Sequence, residues 1–268
     1  MIVDYHMHLR NGREEISHDT WTVDPFVSAA RAAGVDEIGF TEHSYYFKQA
    51  RSLLDHPYQT ERCVYDIEPY VAAVVEARGR GLPVKLGLEV DYVPGREDET
   101  REILAPYPWD YLLGSVHFIH GLGVDGEEPR MLDVLGVDES WRVYFETLAG
   151  AARSGLFDSL SHPDLVKIFG ERPAAFDYGG IVAAIAESGV AVEVSTAGLR
   201  KPVRELYPHP EFLGACREAG VPATLASDAH SPDVVGRDFD RALELLRSVG
   251  YETVTVFEQR RGRQEPLG

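Results

Sequence analysis

The chain has 268 residues, 44% of them hydrophobic and 26% charged, enough to bury a sizeable core without disulfide staples. Its 26 lysines and arginines face 44 acids, for a net charge of −18, which argues against general binding of nucleic acid or of an anionic membrane surface. An anionic ligand would need a local reversal of that field, of the kind bound divalent cations provide.

In chain order, Ile2 to Tyr5 reads as a strand running into His6 and His8. The opening residues lack the basic and apolar regions of a signal peptide, and no apolar run reaches the roughly 18 residues of a membrane span. A cytoplasmic location is the expectation, in keeping with only two cysteines, Cys63 and Cys216, that form neither a CxxC nor a disulfide framework. The stretch from Leu9 to Asp24 reads as a polar loop. Pro25 to Ala33 reads as a helix ended by Gly34, and Glu37 to Phe40 as a strand leading to His43. Tyr45 to Thr60 reads as a second long loop, polar and aromatic, that could wall a site. Ile67 to Arg80 is helical, Val84 to Val90 a strand carrying Glu89, and Glu97 to Leu104 a short helix. Tyr111 to Phe118 is a strand ending near His117. The amphipathic helix Glu139 to Arg153 precedes a short strand within Ser159 to Leu165 that carries His162. Gly180 to Ser188 and Glu211 to Ala219 read as helices, with a strand at Val190 to Val194 between them. Ala223 to Ala226 leads to Asp228 and His230, Asp240 to Val249 is the last helix, and Thr253 to Phe257 is strand-like. The arginine-bearing tail after Glu258 reads as a solvated terminus.

Strands alternating with helices imply a parallel sheet with crossover helices. An open sheet feeds its site from few strands, whereas here nearly every strand ends in a residue able to bind a metal. That spread favours an α/β fold closed as a distorted TIM-like (β/α)7 barrel, formed as one domain over residues 1–268, with the site at the mouth. Residues i and i+2 of a strand share a face, so His6 and His8 can grip one cation, as can Asp228 and His230. Asp91 competes with Glu89 for the role of bridging carboxylate. His120 could line the mouth, while His56 and His209, each beside a proline, read as structural or exposed. No P-loop or GxSxG elbow is present.

Taken together, DYHMH at the start, TEH at 41–43, GLEVDY at 87–92, GSVH at 114–117, SHPD at 161–164 and SDAH at 227–230 resemble the PHP (polymerase and histidinol phosphatase) family. STAGLRKP at 195–202 resembles its histidinol-phosphatase branch. The resemblance implies two or three divalent ions (Zn, Fe or Mn). The first would be held by His6, His8, Glu89 and Asp228, and the second by Glu89, His117 and His162. The third would be held by His43, His230 and a first-loop histidine, for which His18 is the candidate. TEH replaces the family's commoner TDH, which leaves the role of Glu42 open. The chemistry implied is phosphomonoester hydrolysis, most simply of L-histidinol phosphate. A metal-bridging hydroxide attacks phosphorus, Asp228 or His230 supplies the leaving-group proton, and Arg200, Lys201 and Lys167 clamp phosphate. An imidazole-and-amine substrate could use Tyr45, Tyr46, Phe47 and the acids of the first loop. The competing readings are a PHP esterase acting on a nucleotide or oligonucleotide end, an amidohydrolase-like hydrolase, and a non-catalytic metal-binding module.

Overall fold

The computed structural model describes residues 1–9, 18 and 20–268. Strand β1 (Val3–Asp4) is followed by helix α1 (Thr20–Ala32), β2 (Glu37–Phe40), α2 (Pro57–Arg62), α3 (Ile67–Gly79), β3 (Val84–Leu86), β4 (Glu89–Asp91) and α4 (Glu97–Leu104). Next come β5 (Leu113–Ser115), a small hairpin of β6 (Phe118–Ile119) and β7 (Leu122–Gly123), α5 (Met131–Leu135), α6 (Val137–Arg153) and β8 (Ser159–Leu160). The chain continues through α7 (Gly179–Ser188), β9 (Ala191–Ser195), α8 (Pro210–Glu218), β10 (Ala223–Ala226), α9 (Phe239–Ser248), β11 (Thr253–Glu258) and β12 (Arg261–Pro266).

Two parallel sheets carry the fold, one ordered β1-β2-β3 and the other β10-β9-β8-β5-β4. Their edges meet at two places. At one, the Tyr5 N–H donates to Leu225 O at 3.0 Å and Met7 bridges Ala229 in parallel register. At the other, Gly87 N donates to Phe40 O (2.8 Å), Glu89 N donates to Glu42 O (3.0 Å), and His43 bridges Glu89. These parallel sheets bear out the mixed α/β class. The strands are buried on both faces, as β9 (AVEVS) and β10 (ATLA) show throughout, because helices cover the outer side.

Helix α6 shows how sequence sets that cover. Trp141, Tyr144, Phe145, Leu148 and Ala152 recur at three- and four-residue spacing and are all buried, so one stripe faces the sheet. Acidic Asp138 and Glu139 lie in its first turn and Arg153 in its last, matching the helix dipole. Inside the strands, Tyr111 passes its hydroxyl between two glycines to donate to Tyr5 O at 2.8 Å. A Cβ on Gly39 would sit 2.0 Å from that hydroxyl oxygen, so the sequence needs glycine there. Tyr5, Tyr111 and Phe257, with ring centroids 5.1–5.7 Å apart, form an apolar floor.

The structure departs from the sequence reading in several places. Helix α1 begins at Thr20 and takes Pro25 into its interior, although proline more often opens a helix. The stretch Tyr45 to Thr60, expected as loop, is largely helical, with 3₁₀ turns at Ser44–Tyr46 and Lys48–Leu53 followed by α2. His56 caps α2, its Nδ1 accepting from Tyr58 N at 3.1 Å while its Nε2 donates to Glu128 O at 3.0 Å. Strand β8 stops at Leu160, ahead of His162 with φ +25°. The tail after Glu258 is not a solvated terminus. It is β12, paired antiparallel with β11 across Gln259 and Arg260, whose φ values are +49° and +63°. Such a turn usually advertises itself with Asn-Gly, and the polar RGRQEP has no strand alternation. Among the described residues no helix is long and apolar enough to cross a membrane.

Candidate metal centre

The carboxyl ends of the strands converge. Just past β1, His6 and His8 project together, and Met7 between them is fixed on both sides. It bridges Ala229, and its carbonyl accepts from Thr41 N at 2.8 Å. Glu89, the first residue of β4, is 1% exposed. Its Oε2 lies 2.6 Å from His43 Nδ1, 3.3 Å from His6 Nε2 and 3.7 Å from His8 Nε2. Its Oε1 lies 3.0 Å from His162 Nε2 and 3.4 Å from His117 Nε2, and accepts from Ser115 Oγ at 2.7 Å. The two oxygens of one carboxylate thus face two separate histidine groups. Asp228 Oδ1 completes the far side, 3.4 Å from His8 Nε2, 3.5 Å from His230 Nδ1 and 3.8 Å from His6 Nε2. The ring of His8 stacks at 4.3 Å from both His43 and His230. Asp228 and His162 both hold left-handed backbone, φ +52° and +25°, a conformation that costs free energy in non-glycine residues and gathers at functional sites.

The donors fit divalent cations. Four groupings bring three donor atoms each within 4.8 Å of one another: His8, His43 and His230; His6, His8 and Asp228; His6, Glu89 and His162; His43, Glu89 and His117. His6 Nε2 and His8 Nε2 are buried, and among the described residues neither has a hydrogen-bond partner. Buried nitrogens left bare beside carboxylates are expensive unless a cation occupies the space between them. The donor set is imidazole and carboxylate without thiolate, which suits zinc, iron or manganese.

Electrostatics point the same way. Burial opposes protonation of His6, yet Glu193, Glu89 and Asp228 hold its pKa well above the usual value. Burial likewise opposes protonation of His117, which Glu89 and Asp91 carry up to about 10. Glu89 and Asp228 resist the upward push of burial and stay far below the usual carboxylate range because histidines surround them. His230 is pushed down to about 3 by burial and then by His8. Protons on some of these rings thus supply the positive charge that the carboxylates demand.

A second set of buried carboxylates backs the first. Asp91 is not the bridging residue: its Oδ1 lies 2.6 Å from His117 Nδ1, and its Oδ2 accepts from Gln59 at 2.8 Å. Glu42 lies 3.7 Å from His8 Nδ1 and 3.7 Å from His18 Nε2. Those histidines hold its carboxyl down at about 2 against the upward push of burial. The sequence reading missed Glu193, whose Oε2 is 2.9 Å from His6 Nδ1 and whose Oε1 accepts from His162 N at 3.1 Å. Its signal was there to read, since a lone carboxylate inside the apolar run AVEVS must be paired once buried.

Several expected residues lie elsewhere. His18 belongs to none of the four groupings. Its ring packs among Phe47, Tyr65 and Tyr70 at 5.7–5.9 Å, with Glu42 as its charged neighbour. Lys167 is fully buried and does not reach the cavity. Its ammonium donates to Leu206 O at 2.7 Å and pairs with Asp164 at 2.8 Å, because so buried a charge needs local partners. Arg200 donates to the carbonyls of Thr196 and Ser227, beside Asp228. Lys201 does line the cavity. His120 is exposed, and His209 caps α8.

The cavity over the cluster has a volume of about 290 Å³. Its lining includes the aromatic Tyr45, Tyr46, Tyr58 and Phe118 and the acids Asp125 and Glu127, the last two close enough to Tyr58 to act on it electrostatically. Phe47 instead stacks on Tyr70 in the core at 5.5 Å. Of the first-loop acids, Glu14, Glu15 and Asp19 lie outside the described residues.

Parallel strands whose carboxyl ends gather histidines around a shared glutamate define an α/β protein with a candidate metal-binding centre at one end of its sheets. The chain belongs to the PHP domain family, whose sequence profile matches residues 4–197. It is 38% identical over 244 residues to a protein of Deinococcus radiodurans named a probable histidinol-phosphatase, covering 89% of this chain and 91% of that one. It is 28% identical over 255 residues to the histidinol-phosphatase of Bacillus subtilis, covering 83% and 92%. The fold matches the crystal structure of histidinol phosphate phosphatase from Lactococcus lactis complexed with zinc, L-histidinol and phosphate. The TM-score is 0.76 at 22% identity, over 98% of each chain.

Proposed function

We propose that this chain is a metal-dependent phosphomonoesterase that hydrolyses L-histidinol phosphate to L-histidinol and phosphate, a step of histidine biosynthesis. The observation that carries the reading is Glu89, fully buried, with one oxygen facing His6, His8 and His43 and the other facing His117 and His162. A carboxylate so placed is suited to join adjacent cations. Kinship with the probable histidinol-phosphatase of Deinococcus radiodurans and the histidinol-phosphatase of Bacillus subtilis supports the substrate.

The reading takes the chain as one PHP-type domain and its two sheets as a single closed barrel, seven-stranded when β3 and β4, parted only by Gly87 and Leu88, are counted as one strand. The hydrogen bonds at both sheet junctions support that closure. Two or three ions of zinc, iron or manganese would be held by His6, His8, Glu89 and Asp228, by Glu89, His117 and His162, and by His43 and His230. Such ions acidify water and offset phosphoryl charge. The chain's own residues do the rest. Lys201 supplies a cation to the phosphate end of the cavity. Arg200, bonded to the carbonyl of Ser227, holds the Asp228 turn in place. Asp228, 13% exposed, and His230, 35% exposed, stand at the open side; both are held unprotonated, so the leaving alkoxide would take its proton from water that these groups orient. Asp125 and Glu127, with the tyrosines of the same lining, suit the ammonium and imidazole end of the substrate.

Phosphate release from a panel of small phosphate esters, after reconstitution with zinc, manganese or iron, tests the reading. Histidinol phosphate is expected to be turned over best. Poor turnover of it beside efficient cleavage of another ester would refute the substrate, and no release from any ester would refute the enzyme.

A further inference from the structure

Glu193 is the carboxylate that no motif singled out, and its position is unusual. It stands in the middle of β9, is fully buried, and uses its two oxygens on two different cluster residues. Oε2 is 2.9 Å from His6 Nδ1, and Oε1 accepts from the backbone N–H of His162 at 3.1 Å. His6 Nε2 is the bare nitrogen that faces Glu89 and Asp228. His162 holds φ +25°, a backbone that needs outside support. His6 belongs to two of the ligand groupings, and in one of them it is joined by His162.

We infer that Glu193 is a positioning residue that fixes the tautomer of His6 and the turn of His162 together, so that each presents Nε2 to its own side of Glu89, His6 toward Oε2 and the first cation, His162 toward Oε1 and the second. The inference rests on the metal reading above. The chemistry is simple: a carboxylate only accepts, so the proton of neutral His6 must sit on Nδ1, leaving the Nε2 lone pair for a metal. The same carboxylate holds the His162 peptide by its N–H, so one residue of β9 registers the ligand after β1 against the ligand after β8. Asp91 and Glu42 back His117 and His8 in turn, at 2.6 Å and 3.7 Å, whereas Glu193 is bonded to two cluster residues.

A glutamine at 193 has nearly the same shape but cannot accept twice. If its oxygen stays on His162 N, its amide donates toward His6 Nδ1 and forces the wrong tautomer. If it turns, the His162 N–H is left bare. The test is zinc binding to the full-length wild type, Glu193→Gln and Glu193→Ala, by competition with a chromophoric chelator and by elemental analysis, with the thermal midpoint of each metal-free protein measured alongside. Glu193→Gln is expected to lose roughly 10–100-fold in zinc affinity, Glu193→Ala at least as much, with the metal-free glutamine variant melting close to the wild type. Wild-type affinity and stoichiometry in a folded Glu193→Gln would overturn the inference, as would a fall in melting temperature without a change in zinc affinity. Should neither variant fold, a crystal structure of the zinc-loaded wild type decides. Zinc on His6 Nε2 with Glu193 on Nδ1 supports the assignment, and zinc on Nδ1 overturns it. A wild type that takes up no zinc would remove the metal reading and this inference with it, whereas a failure on histidinol phosphate alone would touch only the substrate.

Discussion

The two ends of the strands solve the problem of charge in opposite ways. At the amino end, a cavity of about 500 Å³ is lined by Arg78, Arg101 and Arg260 beside Tyr107 and Trp109. Every one of those guanidinium groups has a partner on the protein: Arg78 pairs with Asp110 at 2.8 Å, Arg101 with Asp98 at 2.6 Å, and Arg260 with Asp158 and the Leu156 carbonyl. At the carboxyl end, histidines and carboxylates are packed together with Glu89, His6 and His8 fully buried, and among the described residues His6 Nε2 and His8 Nε2 are left bare. One end closes its own electrostatic account. The other is complete only when something positive is added. Size alone would choose the wrong cavity, and unmet electrostatic demand chooses the right one.

The contrast can be broken most severely at Glu89. Glu89→Ala removes the carboxylate shared by both histidine groups and is expected to abolish phosphate release and lower zinc stoichiometry, read by elemental analysis; an active variant with full metal would contradict the bridging role. A pH profile sharpens the contrast next. His117 sits at about 10 in the folded protein against an ordinary 6.5. Because the folded value is raised, its contribution to stability is complete below pH 6.5 and is lost as pH climbs through 10. Chelator-treated protein should therefore melt progressively lower across that window, while zinc-loaded protein, whose cation replaces the proton, should hold its melting temperature. Parallel calorimetric profiles would tell against that exchange.

The amino end should respond differently. Arg260→Ala leaves Asp158, 12% exposed, without its cation. Discounted for the exposed arginine, the cost is about 1–2 kcal/mol, a drop of about 2–4 °C in Tm. Phosphate release and zinc affinity should not change, and a fall in either would mean that the two ends are coupled. The smallest effect belongs to the cavity wall. Asp125→Asn or Glu127→Gln is expected to raise KM for a cationic phosphate ester a few-fold, from ion pairs worth about 0.5–1 kcal/mol each, and to leave KM for an uncharged ester alone. Equal shifts for both esters would argue that these acids do not read the substrate's charge.

Much of the centre was legible because strand geometry is periodic. His6 with His8 could be paired on paper, and the positions of His43, Glu89, His117 and His162 followed from where apolar runs ended; Asp228 and His230 do not pair as expected, because β10 stops at Ala226 and the left-handed turn at Asp228 sends them to different groupings. What sequence could not supply was the partner of each far nitrogen. Asp91 and Glu89 share a face, and only coordinates show that one turns to His117 and the other to the centre. His18 lay at a plausible distance along the chain, yet Glu42 and three aromatic rings hold it apart. Lys167 looked like a free cation because Asp164, three residues earlier, reads as part of a turn rather than as its ion-pair partner. The parallel α/β class was readable from alternation. The β11–β12 hairpin was not, because Gln259 and Arg260 adopt a turn that neither residue advertises.

The bridge between Met7 and Ala229 has a consequence for how the protein comes into being. His6 and His8 leave the ribosome more than two hundred residues ahead of Asp228. At roughly 5–20 residues per second, that is an interval of about ten to forty seconds. During it the early histidines can meet free metal ions without the carboxylate that would later share them. A cation that meets the early histidines gains the Asp228 carboxylate only when β10 pairs with the segment after β1.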